Sequence, residues 1–202
     1  EPVQFQYRGA TVTAAALPSA GGIALAQALG MLERFELGRI GDPDTDHLVA
    51  EALRRAFHDR TRYLADPDFV RVPVRELLSS EYVQRRGADI DRSHATRSEG
   101  LGAPRAESGN TTHLSIVDSA GNRVAATLTI NLLFGAGIIP AGTGVLLNNE
   151  MDDFSLRDDV ANAFRLRGGA ANRIEPGKRP LSSMTPTFVE DEKGVLIGGG
   201  PG

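Results

Sequence analysis

The feature that most constrains the fold of this chain is a pair of alternating segments separated by a short polar turn. The first segment covers 110–118, the second covers 123–131, and Ser119-Ala120-Gly121-Asn122 lies between them. Apolar residues alternate with polar ones in both segments, which is the period of a β-strand with one polar face. The sequence therefore predicts a β-hairpin in which Thr111 lies opposite the 129–131 region, to within about one residue.

This pairing brings threonine hydroxyls and an asparagine amide together at the open end of the hairpin, from Thr111, Thr129 and Asn131. Threonine favours strands because its Cβ is branched, and cross-strand threonine pairs are common. The pattern by itself is therefore explained by strand formation, without any catalytic role.

The composition excludes several classes of protein. The 202 residues are 41% hydrophobic and 24% charged, which is typical of a globular chain with one core, or a core plus a helical lobe. A net charge of -4 with scattered basic residues offers no surface for nucleic acid. Without cysteine, the chain has no disulfide, thiolate nucleophile or cysteine-based zinc site. No apolar run approaches the roughly 20 residues of a membrane-spanning helix.

The first half of the chain predicts a hairpin followed by helices. We expect the hairpin within 3–17, a helix over about 22–35 with Ser19 as its N-cap, and a shorter helix over about 75–86. Between these helices, Asp42-Pro43 opens a long amphipathic helix that continues to about residue 64. Its charged residues are predicted to form a solvated, ion-paired surface rather than a metal site: His47, Glu51, Arg54, Arg55, His58, Asp59, Arg60 and Arg62.

The segments on either side of the central hairpin have no helical period. Residues 88–110 are rich in Asp, Ser, Arg, Gly and Pro, which is typical of an exposed loop or linker. After the hairpin we expect a glycine-rich loop, a short buried strand at Val145-Leu146-Leu147 and a loop rich in Asn and Asp. Two further strands are predicted at 187–189 and 195–197, before the glycine run that begins at Gly198.

Three motifs in order resemble those of one enzyme family. Asn110-Thr111-Thr112-His113, with Ser115, Asp118 and Thr127-Leu128-Thr129, resembles the processing site of γ-glutamyltranspeptidases. Two more signatures of that family resemble the stretches Leu146-Leu147-Asn148-Asn149-Glu150-Met151-Asp152-Asp153-Phe154-Ser155 and Lys178-Arg179-Pro180-Leu181-Ser182-Ser183-Met184-Thr185-Pro186. The resemblance covers nearly all of this chain but only the middle of the family's length.

The resemblance implies an α+β fold of the N-terminal-nucleophile hydrolase type, an αββα sandwich that is partial in this chain. It assigns 1–110 to the C-terminal part of the large-subunit region, with the exposed linker at 88–110. Residues 111–202 then form the N-terminal part of the small-subunit region. The precursor would cut itself between Asn110 and Thr111, and the two resulting chains would stay associated.

Cleavage would give Thr111 a catalytic base. A threonine hydroxyl is a weak nucleophile, but a terminal threonine carries its own α-amino group, which titrates at about 7.7–8.0. The resemblance implies that Thr129 hydrogen-bonds the Thr111 hydroxyl, and that the N–H of Gly202 forms part of the oxyanion hole. No metal or other cofactor is implied.

The resemblance also implies the substrate contacts. Asn131, Glu150 and Asp153 would hold the α-ammonium of a γ-glutamyl donor such as glutathione, and Ser182 and Ser183 its α-carboxylate. The acceptor would be water, an amino acid or a peptide, in the periplasm or outside the cell. Each residue also has a structural explanation as a turn, cap or strand-end residue.

Two alternatives stay open at this stage. A cephalosporin or glutaryl acylase would use the same scaffold, although its acyl group lacks the α-ammonium. A non-catalytic homologue or structural fragment is the other alternative.

Overall fold

A computed structural model describes residues 1–97, 111–157, 160, 162 and 168–199. Among them, six strands form two antiparallel sheets, and four α-helices accompany the larger sheet. The strands are β1 (Val3–Tyr7), β2 (Ala10–Ala14), β3 (Thr111–Val117), β4 (Arg123–Thr129), β5 (Thr187–Asp191) and β6 (Gly194–Gly198). The helices are α1 (Gly21–Leu32), α2 (Pro43–Tyr63), α3 (Val74–Leu77) and α4 (Ser80–Gly87), and two 3₁₀ turns span Glu150–Asp153 and Ala170–Asn172.

The larger sheet joins the two ends of the described chain in the order β1-β2-β5-β6. Strand β2 pairs with β5, so that Val12 lies opposite Val189. One face of β1 and β2 is apolar and buries Val3 and Val12, while the other carries a ladder of Gln and Thr side chains. The N-terminal hairpin and the C-terminal pair of strands are therefore parts of one sheet.

Helix α1 lies at the centre of the core because nearly all of its sides are apolar or small. One cluster of buried side chains joins it to α2 and α4, and a second joins it to β1 and to Leu181. A Cβ on Gly30 would lie 2.8 Å from the side chain of Val83, so α1 and α4 approach at a position that only glycine permits. The N-cap of α1 is Ala20 rather than the predicted Ser19.

Helix α2 begins and ends close to the predicted bounds, but the prediction for its charged surface was partly wrong. Glu51, Arg55, Asp59 and Arg60 are each at most 5% exposed. Glu51 forms a 2.7 Å ion pair with Arg55, and Asp59 accepts hydrogen bonds from α4 and α1. These charges are buried because neighbouring helices and the 88–97 segment cover the face of α2 that the sequence pattern assigned to solvent.

Two further predictions need correction. The helix expected at about 75–86 is interrupted, because α3 ends at Leu77 and Ser79 caps the start of α4 by accepting a 3.2 Å hydrogen bond from the Tyr82 N–H. No strand forms at 145–147, where Val145 and Leu147 are 57% and 40% exposed. The backbone of Leu147 bonds instead to Ala136 and Ile138, in a loop too irregular to continue a strand ladder.

The smaller sheet is the central hairpin, β3 paired with β4, and it lies beside β6. Arg123 forms a 2.6 Å ion pair with Glu190, and Ser115 reaches the carbonyl of Ile197. The predicted hairpin is thus confirmed. None of the described helices combines the length and the apolar character needed to cross a bilayer.

Candidate active site

The open end of the hairpin carries the predicted pair of threonines. Thr111 lies directly opposite Thr129, and its Oγ1 donates a 3.2 Å hydrogen bond to Thr129 Oγ1. Asn131 follows with a positive φ of 72°, a conformation that asparagine tolerates better than most residues. This turn lets the Asn131 N–H bond Thr129 Oγ1 at 2.9 Å and its side chain bond the carbonyl of Asn149.

One cavity at this end collects the predicted residues that the structure describes. Its lining consists of Arg60, Thr111, Thr129, Asn131, Glu150, Asp153, Leu181, Ser182, Ser183 and Met184. Seven of these ten were predicted from the sequence. The other two predicted residues, Asn110 and Gly202, lie outside the described residues.

Two carboxylates form one side of the cavity. Glu150 and Asp153 are three residues apart on a 3₁₀ turn, and this spacing places both side chains on the same side. Burial, followed by the negative charge of Glu150, raises the pKa of Asp153 to about 6, while Arg60 opposes the shift. Burial also raises the pKa of Glu150, whose Oε1 is buried without a hydrogen-bond partner among the described residues. Such a carboxylate pair is stabilised by a cation.

Two serine hydroxyls also line the cavity. Ser182 Oγ accepts a hydrogen bond from the Met184 N–H at 3.1 Å, and Ser183 Oγ accepts one from Arg60 Nε at 3.0 Å. Because both oxygens accept from protein donors, their own protons remain available to an anion in the cavity. The segment before them is anchored where Arg179 forms an ion pair with the buried Asp66.

Two residues near the cavity were missed by the sequence reasoning. The Asn172 side chain donates to the Asp153 carbonyl at 2.7 Å and accepts from the Leu181 N–H at 3.2 Å, so it links the carboxylate turn to the serine segment. Arg60 reaches the cavity from α2. The sequence did contain a signal for Arg60, since it continues the i, i+4 row of the buried residues Leu48, Ala52 and Ala56. No comparable pattern marks Asn172.

The arrangement is suited to acyl chemistry. Within the described part of the chain, no group of three or more His, Asp or Glu side chains could hold a metal. The threonine hydroxyl that begins β3 shares this cavity with two carboxylates and two serine hydroxyls.

The α+β fold and this hydroxyl-lined hairpin define the class as an N-terminal-nucleophile hydrolase. A crystal structure of cephalosporin acylase from Bacillus halodurans is similar, with a TM-score of 0.74 and 28% identity over 98% of this chain and 33% of that one. A family model for γ-glutamyltranspeptidase matches residues 1–202, and the chain belongs to that family.

Three curated relatives illustrate the family. The glutathione hydrolase proenzymes of Pseudomonas aeruginosa and Escherichia coli are 46% and 45% identical to this chain over its full length. An acylase proenzyme, ACY 1 of Pseudomonas sp. strain V22, is 41% identical over 95% of the chain. This chain spans only about a third of their length, at 37%, 36% and 33%.

Proposed function

We propose that the complete protein transfers γ-glutamyl groups through an ester on Thr111. The observation that carries this proposal is the single cavity that contains a threonine hydroxyl, two carboxylates and two serine hydroxyls. A γ-glutamyl group has a reactive carbonyl, an α-ammonium and an α-carboxylate. Each of these three groups thus has a chemical counterpart in the cavity: Thr111 for the carbonyl, Glu150 and Asp153 for the ammonium, and Ser182 and Ser183 for the carboxylate.

The first reaction of Thr111 is cleavage of its own precursor. Its Oγ attacks the carbonyl carbon of Asn110, the C–N bond breaks, and the nitrogen becomes the α-amine of Thr111 as an ester forms. Water then opens the ester, leaving a carboxylate on Asn110 and a free hydroxyl on Thr111. The result is two associated chains, one that ends at Asn110 and one that starts at Thr111.

The second reaction uses the new α-amine as the base. It accepts the Oγ proton while Oγ attacks the γ-carbonyl of the donor, and the proton passes to the leaving amine as the C–N bond breaks. Water or the amine of an acceptor then releases the γ-glutamyl group from Thr111. The base and the nucleophile belong to one residue, so little orientational entropy is lost when they act together.

The oxyanion formed in both reactions needs N–H donors, and we assign one of them to Gly202. The position of Gly199, three residues before Gly202, supports this assignment. A Cβ on Gly199 would lie 2.4 Å from the ring of His113, two residues after Thr111 on β3. Gly199 therefore lies close to β3, the strand that begins with Thr111.

The names of the curated relatives support glutathione as donor and a processed precursor. We extend the proposal to water, amino acids or peptides as acceptors. We also place the activity in the periplasm or outside the cell.

A cephalosporin or glutaryl acylase is the second candidate, favoured by the similarity to the Bacillus halodurans enzyme and to ACY 1. Glutaryl groups have no α-ammonium. The unpartnered Glu150 oxygen and the raised pKa of Asp153 therefore favour the γ-glutamyl donor, since an apolar acyl chain would cover both half-buried carboxylates without supplying a cation.

Mass spectrometry of the full-length protein tests the nucleophile. We expect two pieces, the second beginning at Thr111, and hydrolysis of a γ-glutamyl donor. Thr111→Ala should give one uncut, inactive chain, while Thr111→Ser, which keeps the hydroxyl, should still be cut. Normal cleavage of the alanine variant would disprove the role of Thr111.

A further inference from the structure

Arg60 is the one cavity-lining residue that comes from the region before the hairpin, within the part of the chain that the structure describes. It lies near the C-terminal end of α2 and is only 5% exposed. A buried guanidinium loses most of its hydration, and this loss lowers the pKa of Arg60 to about 10. A cation in such a place normally has a partner of opposite charge.

The described residues supply no such ion pair to Arg60. Its Nε donates to Ser183 Oγ at 3.0 Å, and its Nη2 donates to the carbonyl of Leu181 at 3.4 Å. Both partners are neutral. The negative charge of Asp153 partly offsets the lowering of the Arg60 pKa by burial, although the two side chains are too far apart to form an ion pair. The other buried arginine of α2, Arg55, is paired with Glu51 at 2.7 Å and with Asp89 at 2.9 Å.

The contact with Ser183 has a direct consequence for the hydroxyl. Because Arg60 donates to the oxygen, the hydroxyl proton cannot point towards the guanidinium and is directed to another acceptor. The same oxygen is also polarised by the positive charge, which makes its O–H a stronger donor. An anion beside Ser183 would accept a hydrogen bond from this hydroxyl and would lie close to the positive charge of the guanidinium.

We propose that Arg60 is a positioning residue that makes the cavity selective for donors with an α-carboxylate, by orienting the Ser183 hydroxyl towards the bound anion. The inference rests on the proposed γ-glutamyl transfer. It adds that α2 orients one of the two hydroxyls proposed to bind the donor, although the other described residues of the cavity follow Thr111.

The test compares two donors on the processed full-length enzyme. One is a γ-glutamyl anilide, and the other is the 4-aminobutanoyl anilide, which keeps the ammonium but lacks the α-carboxylate. Arg60→Gln should lower kcat/KM for the first donor at least about tenfold, mainly through KM, since a charged hydrogen bond is replaced by a neutral one. The second donor should lose less than about threefold, because it has no carboxylate for the serine to bind.

Two further variants separate positioning from support of the fold. Arg62→Gln is the matched control, since Arg62 is exposed two residues further along α2 and should leave both donors unchanged. Ser183→Ala should lower the γ-glutamyl rate, and adding Arg60→Gln to it should cost little more, because the arginine acts through that hydroxyl.

The outcomes distinguish the inference from the proposed function. If the unaltered enzyme is not cut at Thr111 or does not use the γ-glutamyl donor, the proposed function itself fails. If it does both, and Arg60→Gln weakens the two donors equally or adds its full effect to Ser183→Ala, the positioning role is wrong. Should Arg60→Gln fail to fold, Arg60→Lys keeps a charge without the planar geometry and must show the same preference against the γ-glutamyl donor.

Discussion

The helical region and the central hairpin region treat their buried carboxylates in opposite ways. Burial alone would raise the pKa of Glu51 in α2, but hydrogen bonds from Thr96 and Arg55 outweigh it and lower the pKa to about 2. Glu150, after the hairpin, has no such partner among the described residues, and burial raises its pKa. The first carboxylate is satisfied inside the chain, whereas the second is ready to receive a cation.

Apolar side chains differ between the two regions in the same way. Most of those in α1 and α2 lie in two buried clusters, with Ile23 and Leu48 1% exposed. Beyond the hairpin, Phe134 and Ile139 are 69% and 60% exposed. Exposed apolar surface of this kind marks contacts with further polypeptide, and the curated relatives are about three times as long as this chain. Most apolar side chains of the helical region are therefore buried against one another, whereas many of those after the hairpin are exposed.

The largest expected effect on stability is at Glu51. Glu51→Gln should lower the free energy of unfolding by about 3 kcal/mol, because it removes the main partner of the buried Arg55. Glu150→Gln should leave stability unchanged or raise it, while activity on the γ-glutamyl donor falls. Denaturant unfolding of the full-length protein measures both, with the exposed Glu33→Gln as control. Equal destabilisation by the two substitutions would contradict the contrast.

A second substitution tests the cation site directly. Asp153→Asn keeps the size of the side chain but removes its charge, and a charge-assisted contact contributes about 1.5–3 kcal/mol. We therefore expect kcat/KM for a γ-glutamyl donor to fall at least about tenfold. A glutaryl donor has no ammonium and should lose much less. The same loss with both donors would show that Asp153 supports the fold, and would favour the acylase function.

Substitution of Asn172 should have a smaller effect, because this side chain joins the turn that carries Asp153 to the segment that begins at Leu181. Asn172→Ala leaves the Asp153 carbonyl and the Leu181 N–H without their partner, which costs about 1–3 kcal/mol of stability. Its effect on kcat/KM should be non-additive with that of Asp153→Asn, since both act on the same turn. Strict additivity in a double-mutant cycle would argue against this link.

The smallest predicted effect concerns pH. The groups that act on Asp153 are Glu150, Asp152, Arg60 and the Asn162 amide, and together with burial they place its pKa at about 6. Since the ammonium requires the ionised form, kcat/KM should show one acidic limb at about pH 6 from Asp153, below the further rise that the Thr111 α-amine causes at about 7.7–8.0. Below that value the folded state holds a proton that an unfolded Asp releases, so ionisation of Asp153 makes stability fall as pH rises from about 4 to 6. Asp153→Asn should remove the acidic limb of kcat/KM and the fall in stability between about pH 4 and 6. If the acidic limb is unchanged in this variant, another group causes it.

Predictions from the sequence were accurate where the physical cause is local. Alternation of apolar and polar residues determined β3 and β4, and the short turn between them placed Thr111 opposite Thr129. The polar residues of the cavity were identified by resemblance, and their roles remain predictions. The prediction for the charged face of α2 failed because distant segments cover that face. The strand predicted at 145–147 failed because its backbone bonds to the neighbouring loop at Ala136 and Ile138.

The sequence by itself therefore determined the strands and helices and the register of the hairpin, because these depend on periods of two and 3.6 residues and on short turns. Only the tertiary structure decided which charges are buried. Amphipathic periodicity divides a helix into an apolar and a polar face, but it does not show whether another part of the chain covers the polar face. Arg60 illustrates the difference: its spacing places it beside Ala56, and the segment 181–183, more than 120 residues further along the chain, removes it from solvent.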